Sequence, residues 1–76
     1  MISVLFFGKL ADDCGAKQIS LADVALVADA LKKLETQYPV LKNQTFAIAL
    51  NHKTCNSTDV LKAGDVLAFL PPFSGG

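Results

Sequence analysis

Residues 2–7 (ISVLFF) are β-branched, aliphatic or aromatic at nearly every position, and Gly8 ends the run; this composition predicts a strand. Side chains alternate across a strand, so Ile2, Val4 and Phe6 share one face and Ser3, Leu5 and Phe7 the other. Both faces are apolar beyond Ser3, as in a strand covered on both sides or one that meets a partner on its second face. Residues 9–15 (KLADDCG) suit one or two helical turns, stopped by Gly15 in a left-handed cap. Residues 17–21 (KQISL) alternate polar and apolar, which predicts a half-buried second strand in a hairpin with the first, Ile19 and Leu21 facing inward.

Over residues 27–38 the apolar positions fall at Val27, Leu31, Leu34 and Tyr38 with Ala30 alongside, one stripe of an amphipathic helix. Pro39 stops it. Lys32, Lys33, Glu35 and Gln37 take the outer surface, and Asp29 lies in the first turn, where a negative charge complements the helix dipole. The start is not marked locally, because Asp23 is the nearest good cap and Leu26 stands directly before the stripe. Residues 46–50 (FAIAL) read as a third strand, Asn51-His52-Lys53 as a turn, and residues 53–56 as a short return strand. After a turn at Ala63-Gly64-Asp65, residues 66–70 (VLAFL) form the last strand, which Pro71-Pro72 ends. With the short return strand counted together with the strand before it, the order ββαββ describes an α+β domain, a mixed sheet with one main helix on one face, spanning residues 1–76 with 71–76 as an extended tail.

At 76 residues, 51% hydrophobic and 18% charged, there is room for one domain and not a second. A domain this small buries only about 60–65% of the surface its unfolded chain exposes, so its stability margin is thin unless something staples it. Cys14, Cys55 and His52 are the only cysteines and histidine, too few for a disulfide framework, a tetrahedral zinc site or an iron–sulfur cluster. Seven basic and seven acidic side chains cancel, which leaves no basic footprint for nucleic acid and no polybasic membrane anchor. The apolar start has no positive flank and is too short to span a bilayer, so the expected compartment is the cytosol.

The remaining chemistry sits in PPFSGG (residues 71–76). Two prolines hold the backbone extended, Phe73 supplies one apolar anchor, and Ser74, Gly75 and Gly76 form a slender end. Without Cβ atoms on the last two residues, another protein can close around the peptide and admit the terminal carboxylate to a deep site. That carboxylate is ionised at neutral pH and a poor electrophile, but attack on ATP converts it to an acyl-adenylate that an amine, thiol or persulfide can displace.

The arrangement resembles the ubiquitin-like β-grasp proteins. VLFFGKLADDCG (residues 4–15), QYP (37–39), ALN (49–51) and LKAGDVLAFLPPFSGG (61–76) are similar to the small, sulfur-carrying subunit of molybdopterin synthase, the MoaD family, over essentially the full chain. The resemblance implies that an E1-like adenylating enzyme uses ATP to activate Gly76 and that a sulfurtransferase converts it to a thiocarboxylate. It also implies that the tail then enters the large catalytic subunit, where sulfur passes to cyclic pyranopterin monophosphate during molybdenum cofactor biosynthesis. On that reading Gly76 carries the sulfur, Gly75 and Ser74 allow threading, and the chain binds no cofactor and is not catalytic alone. Phe7, Leu5, Phe73 and Leu61 would form the hydrophobic partner-binding surface, in a synthase of two small and two large subunits.

Three other functions fit the same layout: a thiamin-pathway sulfur carrier, a ubiquitin-like protein modifier that joins Gly76 to lysines, and a β-grasp interaction module whose Gly-Gly is incidental. Cys14 and Cys55 read as small buried hydrophobes or inert thiols rather than sulfur relays, because the carrier chemistry needs only a carboxylate. His52 sits beside Lys53 in a turn with no neighbouring acid to orient it, and it reads as a solvated turn residue.

Overall fold

The computed structural model describes residues 1–71. Phe73, Ser74, Gly75 and Gly76, on which several expectations rest, lie outside the described residues. Five strands and two α-helices follow in the order β1 (Ile2–Phe6), α1 (Lys9–Cys14), β2 (Gln18–Leu21), α2 (Val27–Gln37), a 3-10 helix at Pro39–Asn43, β3 (Ala47–Leu50), β4 (Lys53–Thr54) and β5 (Val66–Leu70). They form one mixed sheet in the order β2-β1-β5-β3-β4. β1 and β5 run parallel at its middle, and the other neighbours are antiparallel.

The core lies on one face of this sheet. Ile2, Val4 and Phe6 of β1 and Leu67 and Phe69 of β5 are buried in the same cluster as Val27, Ala30 and Leu34 of α2. The Phe6 and Phe69 rings lie 5.6 Å apart, Phe6 meets Tyr38 edge-on at 5.7 Å, and Phe46 lies 5.2 Å from Phe69. Offset and edge-on pairs of this kind add to the burial of the rings themselves. Leu31 and Tyr38, expected in the helix stripe, pack half-buried at its margin.

Several boundaries differ from expectation for local reasons. β1 stops at Phe6 because the Phe7 carbonyl turns away from the ladder to accept from the Leu10 N–H at 3.2 Å. Tyr38 and Pro39 end α2, but a 3-10 helix follows at once, with proline in its first turn and Leu41 buried as its anchor. β4 is only two residues long, and β3 begins at Ala47 rather than at residue 46.

The start of α2 is capped from far away in sequence. Leu26 offers no side-chain acceptor; instead the Val27 and Ala28 N–H groups donate to the Asp59 and Ser57 carbonyls at 3.0 and 2.9 Å. Asp29 Oδ2 accepts from the Leu26 N–H at 3.0 Å. Two of the donors that a helix leaves orphaned are thus satisfied by a loop on the far side of β3 and β4.

Candidate functional site

Residues paired directly across neighbouring strands share a face of the sheet. Leu5 pairs with Ala68, Ala68 with Ala49, and Leu70 with Ala47, all opposite the α2 side. Val66 takes the same parity on β5. Among the described residues no helix covers this face, yet its middle is apolar: Leu5, Val66, Ala68, Leu70 and Ala49 are half-buried, and Ala47 and Phe7 are exposed. Phe7 is 43% exposed, an aromatic ring left partly open to water where covering the rest would be worth about 1 kcal/mol. Beside it, Leu5, Phe7, Gly8, Ala11, Lys17 and Gln18 line an open groove of about 400 Å³.

The parallel pairing of β1 with β5 gives this face its direction. Phe6 stands opposite Phe69, so both strands end on the same side of the sheet, and the Phe7 N–H donates to the Phe69 carbonyl at 3.0 Å. The chain therefore leaves β5 through Pro71 directly beside Phe7 and Gly8. In an antiparallel arrangement the two ends would lie on opposite sides.

Leu5 and Phe7 both lie on the open face. Leu61 does not. It is 7% exposed and belongs to the core, which corrects its expected place on a docking surface. The cause is a short antiparallel bridge between Val60 and Leu26, with the Leu61 N–H donating to the Ala25 carbonyl at 2.8 Å. Alternation then turns Leu61 inward and leaves Val60 61% exposed. Sequence reasoning missed Val66, Ala68, Leu70, Ala47 and Ala49, because VLAFL is apolar on both faces and its parity cannot be assigned without its partners.

Cys14 and Cys55 are half-buried, and burial, reinforced by Asp13 and Asp59 respectively, pushes both thiols up from their ordinary range. They stay protonated at neutral pH and make poor nucleophiles. The Cys55 thiol donates to the Ile48 carbonyl at 3.6 Å. His52 is exposed in a two-residue turn with φ 72°. Among the described residues no three of His, Cys, Asp or Glu gather in a way that could hold a metal ion. No described helix is long and apolar enough to cross a membrane.

Comparison with known proteins gives a consistent result. The sequence model of the ThiS family matches residues 4–76. A protein of Chlamydomonas reinhardtii named molybdopterin synthase sulfur carrier subunit is 35% identical over 81 residues, covering 99% of this chain and 98% of its own. Among solved structures, small archaeal modifier protein 1 of Methanosarcina acetivorans superposes with a TM-score of 0.87 at 25% identity, over 99% of this chain and 95% of that one. A chain from the complex of subunits 1 and 2 of the molybdopterin-converting factor of Helicobacter pylori superposes with a TM-score of 0.71 at 29% identity, over 99% and 97%.

Proposed function

The chain belongs to the ThiS family, and on that premise we propose that it is the sulfur-carrier subunit of a molybdopterin synthase. The full-length likeness to the Chlamydomonas reinhardtii carrier subunit and to a chain of the Helicobacter pylori two-subunit complex supports this choice within the family. The observation that carries the reading is the shared end of β1 and β5: an uncovered apolar face around Phe7 lies beside the residue from which the Gly-Gly tail departs. The large subunit covers Leu5, Phe7, Ala68 and Leu70, and the tail enters its active site. The five residues beyond Pro71 reach at most about 18 Å when fully extended, enough to enter a partner's interior from the edge of the interface.

The chemistry belongs to Gly76 and its partners. A carboxylate oxygen of Gly76 attacks the α-phosphorus of ATP on an E1-like adenylating enzyme, pyrophosphate leaves, and the acyl carbon becomes electrophilic. A persulfide from a sulfurtransferase displaces AMP, and a second thiol cleaves the resulting S–S bond, leaving a thiocarboxylate and an enzyme disulfide. In the large subunit that sulfur bonds to a side-chain carbon of cyclic pyranopterin monophosphate and displaces an oxygen substituent from it; water then cleaves the acyl–sulfur bond, which leaves the sulfur on the pterin and returns Gly76 to a carboxylate. The carrier supplies the sulfur and the reach, and its own side chains take no part in the bond changes.

The test is the intact mass of the chain after incubation with an E1-like enzyme, ATP and a sulfur donor, beside a control lacking Gly76. Replacement of one oxygen by one sulfur, mapped to Gly76, is expected. An unchanged mass under conditions that load another carrier would end the proposal. A second reading, a protein modifier, is favoured by the likeness to small archaeal modifier protein 1. It requires the activated Gly76 to be taken by lysine amines, and branched Gly-Gly remnants on peptides from the host's proteins would distinguish it.

A further inference from the structure

Gly8 occupies a backbone region that side chains avoid. Its φ of 59° and ψ of −135°, with the Leu10 N–H donating to the Phe7 carbonyl, place it near the first central position of a II′ turn. A second constraint comes from the other end of the chain. A Cβ on Gly8 would stand 2.8 Å from Pro71 Cγ and 3.7 Å from Pro71 Cδ. Carbon atoms in contact prefer about 3.5–4.0 Å, so the proline ring rests on the bare Cα and leaves no room for a methyl group.

This contact does little for the core. Gly8 and Pro71 are both exposed, and neither belongs to the buried cluster. What it does is orient the chain. The ring locks the φ of Pro71, and Pro72 after it restricts Pro71 to extended backbone, so the seat of the ring decides the direction taken after β5. We propose that Gly8 is a positioning residue for sulfur transfer: it seats Pro71 and thereby aims the reactive tail relative to the docking face around Phe7. The inference rests on the carrier reading and adds to it a residue outside the tail.

Docking through Leu5 and Phe7 and aiming through Gly8 are separable. In a complex of the sulfur-loaded chain with the large subunit of its synthase, measurement at saturation sets aside any change in Kd that Gly8→Ala causes through its neighbour Phe7. The single-turnover rate at saturating large subunit should fall by about tenfold or more, since misplacement by about 1 Å can cost a hundredfold. Pro71→Ala, an exposed change outside the core that leaves the Gly8 turn in place, should also slow the saturated rate. Gly8→Ala should slow the Pro71→Ala chain by less than it slows the wild type, because without the ring the clash is gone and only the backbone strain at φ 59° remains. Wild-type speed in Pro71→Ala, or the same Gly8→Ala penalty with and without the ring, overturns the proposal. Failure of the wild-type chain to transfer sulfur removes the carrier reading and the seat with it. Normal wild-type transfer with indifferent variants removes only the seat.

Discussion

The side chains of Asn51 and Asp65 meet between two turns: Asn51 Nδ2 donates to Asp65 Oδ1 at 3.1 Å, while Asn51 Oδ1 accepts from the Val66 N–H at 2.9 Å. Asp65 Oδ2 accepts in turn from the Lys62 N–H at 2.8 Å. Asn51 has φ 51° and His52 φ 72°, the pair of positive values of a I′ hairpin turn, so the β3–β4 turn is tied to the start of β5.

These bonds hold the Asp65 carboxyl below its usual range, through Asn51 first and then the Lys62 N–H and charge. A folded pKa below the unfolded one gives stability that is full above the unfolded value and is lost as pH falls through the folded value. Asp65→Asn is therefore expected to destabilise the chain at pH 7 and to show a shallower loss of stability below about pH 4. Urea denaturation across that range checks it, and an acid limb parallel to the wild type would dismiss Asp65 as its source.

Phe7 and Leu61 should separate docking from folding. Phe7→Asp puts a charge on the open face and is expected to weaken binding to the large subunit by about 1–2 kcal/mol or more with little change in Tm. Leu61→Ala empties a core position and should lower stability by about 2–4 kcal/mol. Calorimetric titration and thermal melts of both variants test the division, and unchanged affinity in Phe7→Asp would refute the docking face.

Removal of Gly75 and Gly76 is expected to abolish sulfur transfer without shifting the melting curve, since the core cluster lies between Ile2 and Phe69. A truncated chain that still supported molybdopterin synthesis would be incompatible with a carrier.

The remote cap of α2 gives a fourth expectation. Asp59 Oδ2 accepts from the Asn56 N–H at 2.8 Å, which shapes the turn whose carbonyls meet the helix start. Asp59→Ala should cost about 1 kcal/mol, read from the urea midpoint, although Asp59 lies outside the helix. No shift would mean that the turn holds without its side chain.

The strands and the α2 stripe were legible because period-two and 3.6-residue patterns are local, and so were Gly15 as a left-handed cap and Asn51-His52 as a turn. The uncovered face was half legible: Leu5 and Phe7 could be assigned from Ser3 onward, but Val66, Ala68 and Leu70 needed the register of β5 with β1. Leu61 misled because the bridge between Val60 and Leu26 joins segments distant in sequence. The α2 start was invisible for the same reason, its cap being the Ser57 and Asp59 carbonyls. Gly8 reads as the end of a strand; its positive φ and its closeness to Pro71 explain why glycine stands there, and neither shows in the sequence.

The central place of β5 also bears on how the molecule folds. The β1–β2 hairpin and α2 can form from near neighbours, but the core closes only when a strand more than sixty residues from β1 inserts between β1 and β3. Such long-range pairing is slow to search for. The insertion that completes the core also brings Pro71 onto Gly8, so the base of the tail forms together with the core. Until β5 is in place, neither the open face around Phe7 nor the seat from which the tail departs exists.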